Sequence, residues 1–143
     1  MLFRSDDLEE YVLQKNDIVV ARTGATFGKT LIFEADYPAV YASFLIKIDF
    51  KGMLLNKYYW HFAQSNLYWM QANKLVGGGA QPQFNTGALS QIIVPIPSLT
   101  KQTDIVTKLD AFENLIQTLE QEIKLRKQQY EYYREKLLTF EKE

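Results

Sequence analysis

From Ile105 to Phe140 the apolar positions recur at alternating spacings of four and three: Ile105, Leu109, Phe112, Ile116, Leu119, Ile123, Arg126, Tyr130, Tyr133, Leu137 and Phe140. This is a heptad a/d pattern in which Arg126 is the one charged member. The spacing predicts a single helix over residues 100–140, on the order of 60 Å long at about 1.5 Å per residue. An average globular helix has only about 11–12 residues. A rod of this length cannot bury its stripe against a domain of roughly 100 residues. It requires a second helix, and no other segment of the chain is long enough to supply one. Pairing through this face is therefore expected, with Arg126 a candidate for setting register and Glu122 or Glu131 its candidate partners.

Upstream the periods are shorter. Residues 5–13 read as a short acidic helix with Leu8, Tyr11 and Val12 on its apolar side, and Asn16-Asp17 is a turn signal. Ile18-Val19-Val20-Ala21 is a β-branched run suited to a buried strand. A turn over Gly24-Ala25-Thr26-Phe27-Gly28 and a returning strand, Thr30-Leu31-Ile32-Phe33, complete a hairpin. Residues 41–50 predict a third strand, with Phe44, Ile46 and Ile48 on one side. Leu55, Tyr59, Phe62 and Ala63, then Leu67, Met70 and Gln71, fall at helical spacing, which fits two helices or one broken helix. Gly77-Gly78-Gly79 ends that stretch. A polar loop (Gln81 to Asn85), a short turn or helix, and a strand at Ile92-Ile93-Val94 follow. Pro95-Ile96-Pro97 is extended by constraint, and Ser98 or Thr100 can cap the long helix.

Composition adds limits. The 143 residues are one domain's worth, and 47% hydrophobic with 14% aromatic content is that of a folded chain rather than a disordered one. Cys is absent, which removes disulfides and thiolate metal sites. No run approaches about 18 apolar residues and the start lacks a signal-peptide pattern, so a cytoplasmic protein with no membrane partner is expected. Net charge is −1, with 8 basic and 8 acidic residues up to position 100 and 8 against 9 beyond it. Binding to nucleic acid by bulk attraction is disfavoured by that balance.

Candidate chemistry is sparse. Gly24 to Thr30 invites a P-loop reading, but three residues separate its glycines instead of four, and a strand rather than a helix follows. His61 is the only histidine, which excludes His-rich and Cys/His metal sites and leaves no nucleophile elbow to serve. Asp36, Asp49 and Asp110 stand alone. No catalytic residue, cofactor or metal is expected. The polar residues of the glycine loops differ: Arg22, Thr23, Thr26 and Lys29 surround one turn, and Lys74, Gln81, Gln83 and Asn85 surround the other. Such side chains can make paired hydrogen bonds to base edges in the major groove, although polar loops more often simply meet solvent.

Four stretches carry a family resemblance. Leu13-x-x-x-Asp17-Ile18-Val19-Val20-Ala21-Arg22-x-Gly24, then Gly77-Gly78-x-x-Gln81, then Val94-Pro95-Ile96-Pro97-x-Leu99-x-x-Gln102-x-x-Ile105-Val106 stand in the order found in the DNA-specificity (S) subunit of type I restriction-modification systems. The closing Glu122-Ile123-x-x-Arg126-Lys127-Gln128-Gln129-Tyr130-x-Tyr132-Tyr133-Arg134-x-x-Leu137-Leu138 resembles the spacer helix of that family. The resemblance implies an α+β target-recognition domain with a mixed sheet, here partial and spanning residues 1–98, and a long spacer helix over 99–143. It implies two such halves in a full subunit, with their helices pairing antiparallel, and it makes this chain at most half-length or truncated, beginning partway into the domain. It implies no chemistry of its own, and as partners double-stranded DNA, modification (methyltransferase) subunits and a restriction subunit. The Asn/Asp-Pro-Pro-Tyr motif of the methyltransferase is absent.

The expectation is therefore a non-enzymatic, sequence-specific DNA-recognition and scaffold subunit, with Arg22, Thr26, Lys29, Lys74, Gln81 and Gln83 facing DNA. Ile105, Leu109, Phe112, Ile116, Leu119, Ile123, Arg126, Tyr130, Tyr133 and Leu137 would form the homodimer or partner helix. The alternative is a coiled-coil assembly module that holds partner subunits without reading DNA.

Overall fold

The computed structural model describes residues 11–76 and 83–140, and structural statements refer to these. They divide into two units, one ending at Val106 and the other starting at Thr107. The first is a small α+β unit. Its strands are β1 (Val12–Leu13), β2 (Ile18–Ala21), β3 (Thr30–Ile32), β4 (Ala39–Val40) and β5 (Leu45–Ile48). Its helices are α1 (Asn56–Phe62), α2 (Asn66–Val76) and α3 (Thr86–Leu89), and α4 (Leu99–Leu138) begins in it.

The β-branched run at 18–21 forms the middle strand of a three-stranded sheet, ordered β3-β2-β5. Ile18, Val19 and Val20 are all buried, as a continuous apolar run requires when both faces are covered. The hairpin to β3 is as expected, with Ile18 opposite Ile32 and Val20 opposite Thr30. Every strand pairing among the described residues is antiparallel. The Leu13-x-x-x-Asp17 stretch proves to be architectural. Leu13 is buried. Asp17 Oδ2 accepts the Gln14 N–H at 2.7 Å and pairs with Lys47 of β5 at 2.5 Å. Lys47 also donates to the Val12 carbonyl at 3.1 Å.

Four expectations are corrected or fall outside the described residues. Val12 and Leu13 form a strand rather than the end of a helix, because they pair with Val40 and Ala39; residues 5–10 of that expected helix lie outside the described residues, as does the Gly77–Gly79 stop. The third strand occupies only Leu45–Ile48, since residues 42–45 make a turn closed by the Leu45 N–H on the Ala42 carbonyl at 2.9 Å. Phe44 thus does not share a sheet face with Ile46 and Ile48. The expected strand at 92–94 is extended but joins no ladder. The Gln71 side chain takes the place of a neighbouring strand there, accepting from the Ile93 N–H at 2.8 Å and donating to the Ile93 carbonyl at 3.1 Å. The ambiguous stretch after residue 54 resolves into two helices, with Tyr68 N–H on the Ser65 hydroxyl at 3.3 Å where the second begins.

The core is built largely of aromatic rings. Tyr58, Tyr59 and Phe62 of α1, Tyr68 of α2 and Phe84 pack with Ile18, Val20, Ile32 and Leu54. Burial of large rings is worth about 1.5–3 kcal/mol apiece. The Tyr68 hydroxyl finds the Gly28 carbonyl at 2.7 Å, and burial pushes its pKa up to about 12. Tyr58 O–H bonds the Pro95 carbonyl at 3.0 Å. One buried polar side chain stands out. Gln102, in the first turn of α4, accepts from the Leu55 N–H at 2.8 Å and donates to the carbonyls of Pro97 at 2.9 Å and Met53 at 3.3 Å. A buried amide satisfied in this way fastens the first turn of α4 to the loop before α1.

The second unit is the remainder of α4. The helix runs for 40 residues, close to the expected span, with Ser98 at its N-cap. No described helix is long and apolar enough to cross a membrane.

Candidate nucleic-acid interface and partner helix

The antiparallel order places the C-terminal end of β2 and the N-terminal ends of β3 and β5 at one end of the sheet. The connection from β2 to β3 tightens into a 3-10 turn at Gly24–Thr26. Within the connection Gly24 and Gly28 stand at φ +73° and +72°, a region that L side chains rarely adopt. At Gly28 the requirement is also steric: a Cβ would meet the Trp69 ring at 3.3 Å. The second polar loop is brought against the first. Thr23 and Gln83 form an antiparallel bridge, and the Phe84 N–H donates to the Arg22 carbonyl at 2.7 Å. Phe84 is wholly buried, packing on Phe27 and Tyr68, so the apolar residue beside Gln83 pins the loop.

Thr26, Lys29 and Gln83 are exposed at this sheet end. Arg22 is there too, but its guanidinium folds back on the protein: Nη1 donates to the Ser43 carbonyl at 3.2 Å and Nε is buried without a partner. Its backbone N–H bonds the Phe44 carbonyl at 2.9 Å. Arg22 is thus the joint of three turns. Lys74 is exposed in the last turn of α2, on the side away from Tyr68 and Ala72, by which that helix packs. Gln81 lies outside the described residues. The turn at 42–45 was missed from sequence, where Phe44 followed the β alternation; its small, turn-favouring Ala42-Ser43 pair was the available signal.

On α4 the seam divides. Ile105 packs with Val106 against the globular core, and so belongs to the chain's own interior. The seam residues from Leu109 onward are bare, with exposures from 39% at Leu109 to 83% at Phe140. Leu119, Ile123 and Tyr130 line a shallow apolar depression with Glu122, Arg126 and Lys127 at its edges. Arg126 pairs with Glu122 at 3.7 Å and donates to the Gln129 side-chain oxygen at 3.1 Å, so of the two expected carboxylates the upstream one is in place. Sequence reasoning also passed over Leu115, Leu125 and Tyr132, which are exposed and fall at heptad positions g, c and c beside the d row. They widen the apolar stripe on one flank, a signal legible once the heptad is lettered.

An α+β unit that gathers polar turns at one sheet end, continued by a helix with a bare heptad seam, defines the class of molecule. The chain belongs to the family of type I restriction modification DNA specificity domains, whose match covers residues 4–125. A Haemophilus influenzae chain named as a type I restriction enzyme specificity subunit is 33% identical over 132 residues, covering 89% of this chain and 33% of that one. The MjaVIII specificity subunit of Methanocaldococcus jannaschii is 27% identical over 142 residues, or 94% of this chain and 32% of the other. The Escherichia coli EcoR124I/EcoR124II specificity subunit matches 69 residues at 38% identity, 46% of this chain and 17% of the subunit. The chain therefore spans a third or less of these relatives.

Proposed function

We propose that this chain is a non-catalytic, sequence-specific DNA-recognition and scaffold element of a type I restriction-modification complex, equivalent to half a specificity subunit or less. The observation that carries the reading is the Thr23–Gln83 bridge, which joins two loops far apart in sequence into one polar surface. Thr26, Lys29 and Gln83 offer donors and acceptors of the kind that meet base edges. The near-zero charge means few phosphate contacts, so the isolated chain binds weakly and with a shallow salt dependence. The bare seam of α4 takes a second such helix, hypothetically antiparallel in a homodimer. The extra apolar flank at Leu115, Leu125 and Tyr132 leaves room for a modification subunit beside it. A homodimer with two identical domains prefers an inverted, bipartite site.

The same bare helix also favours a second reading, a scaffold that assembles partners without reading bases. Selection from a randomised duplex pool, with the modification subunit present, separates the two. The recognition reading expects a recovered motif, and a Gln83→Ala chain that relaxes discrimination at one base pair by about 1–3 kcal/mol. Lys29→Ala weakens binding to all sequences alike. Recovery of no motif favours the scaffold reading.

A further inference from the structure

Three turns meet at the interface end of the sheet, and one of them ends in an exposed aromatic ring. Phe27 and Phe84 turn inward onto Trp69 and Tyr68, but Phe44 is 57% exposed. Its turn is held by three hydrogen bonds: Leu45 N–H to the Ala42 carbonyl, Arg22 N–H to the Phe44 carbonyl, and Arg22 Nη1 to the Ser43 carbonyl. The ring is therefore presented from a fixed backbone, in a turn bonded to Arg22 at the same sheet end as Thr26, Lys29 and Gln83. Holding it so lowers the ordering cost of any contact it makes.

We propose that Phe44 is a specificity-determining residue that reads a thymine by apolar contact with its C5-methyl group. The inference rests on the DNA-reading function above and gives that surface its apolar component. In the major groove the thymine methyl is the one apolar feature that distinguishes a base pair, and Phe is among the side chains that meet it. Lys29 and Gln83 offer no apolar group of that kind, and Thr26 only a single methyl. With few phosphate contacts available to a chain of net charge −1, such direct contacts carry a larger share of the recognition. The buried Arg22 Nε and the Arg22–Ser43 bond also acquire a purpose: the guanidinium is a positioning group for the Phe44 turn.

The test uses the full chain with the modification subunit and a duplex carrying the recovered motif, synthesised with thymine or with deoxyuridine throughout. Wild type should bind the thymine duplex about three- to ten-fold more tightly, as expected for one or two methyl contacts. Phe44→Ala should bind both duplexes alike, and Phe44→Leu, which keeps an apolar tip, should retain the preference. Equal binding of the two duplexes by wild type, an undiminished preference in Phe44→Ala, or a recovered motif without thymine would each overturn the thymine contact while leaving DNA reading intact. Failure to recover any motif would overturn both.

Discussion

Tyr58, Tyr59 and Tyr68 are packed inside the globular unit, with the Tyr68 ring edge to face on Phe62 and Phe84 and the hydroxyls of Tyr58 and Tyr68 on backbone carbonyls. Tyr130, Tyr132 and Tyr133 of the long helix stand at 66%, 60% and 48% exposure. The same residue type serves one unit as interior and the other as surface. Gln shows the same division: Gln102 is buried with three hydrogen bonds, whereas Gln129 is an exposed partner of Arg126. The globular unit covers its own aromatic core. Beyond Val106 the apolar side chains of α4 stand exposed, and each Leu, Ile or Tyr would contribute about 1.5–3 kcal/mol if fully buried, which the bare helix forgoes.

The largest effect should follow from breaking the second region alone. Leu119→Asp with Ile123→Asp is expected to abolish self-association, weakening it more than about a hundred-fold. Sedimentation should show a dimer become a monomer, while unfolding of the globular unit keeps its midpoint. A wild-type chain that sediments as a monomer at tens of micromolar would dissolve the contrast between the two regions.

Gln102→Leu attacks the first region from within. It leaves the Leu55 N–H and the Met53 and Pro97 carbonyls without their partner, at about 1–3 kcal/mol for a buried group. Urea titration should register a loss of roughly 3 kcal/mol in the globular unit. If stability is unchanged, the amide is ornamental and the junction is held by apolar packing alone.

Alkaline pH acts on two buried tyrosines, Tyr59 and Tyr68, both pushed up by burial, and the share of Tyr68 alone is the smallest effect. The Tyr68 pKa is raised to about 12 by burial, above about 10 for an unfolded tyrosine. Folded protein therefore keeps a proton that the unfolded chain releases, and stability falls as pH rises from about 10 to about 12. The Tyr68 share of that loss should be on the order of 2 kcal/mol, read as the difference between wild type and Tyr68→Phe in denaturant midpoints across that range.

What the sequence made legible follows from how local each signal is. The heptad seam and the β2–β3 hairpin depend on neighbours a few residues away, and both were readable. Ile92-Ile93-Val94 has a strand's composition, yet whether a strand finds a ladder depends on distant chain; here Gln71, 22 residues upstream, supplies the hydrogen bonds instead. Val12 likewise fitted a helical stripe until its pairing with Val40 was known. The polar loops were recognised singly, but their meeting through Thr23 and Gln83, and the inward folding of Arg22, are long-range facts with no local trace.

The Gln102 fastening has a consequence for how the long helix comes into being. An isolated helix must first form a costly nucleus, with an initiation constant of about 10⁻³, before each added residue gains a bond. Here the nucleus comes ready-made. Ser98 supplies the first carbonyl, to the Gln102 N–H at 2.9 Å, and the Gln102 side chain ties that same turn to a folded neighbour. Once the globular unit has folded, α4 can grow from its N-terminal end by propagation alone, without first forming a nucleus of its own.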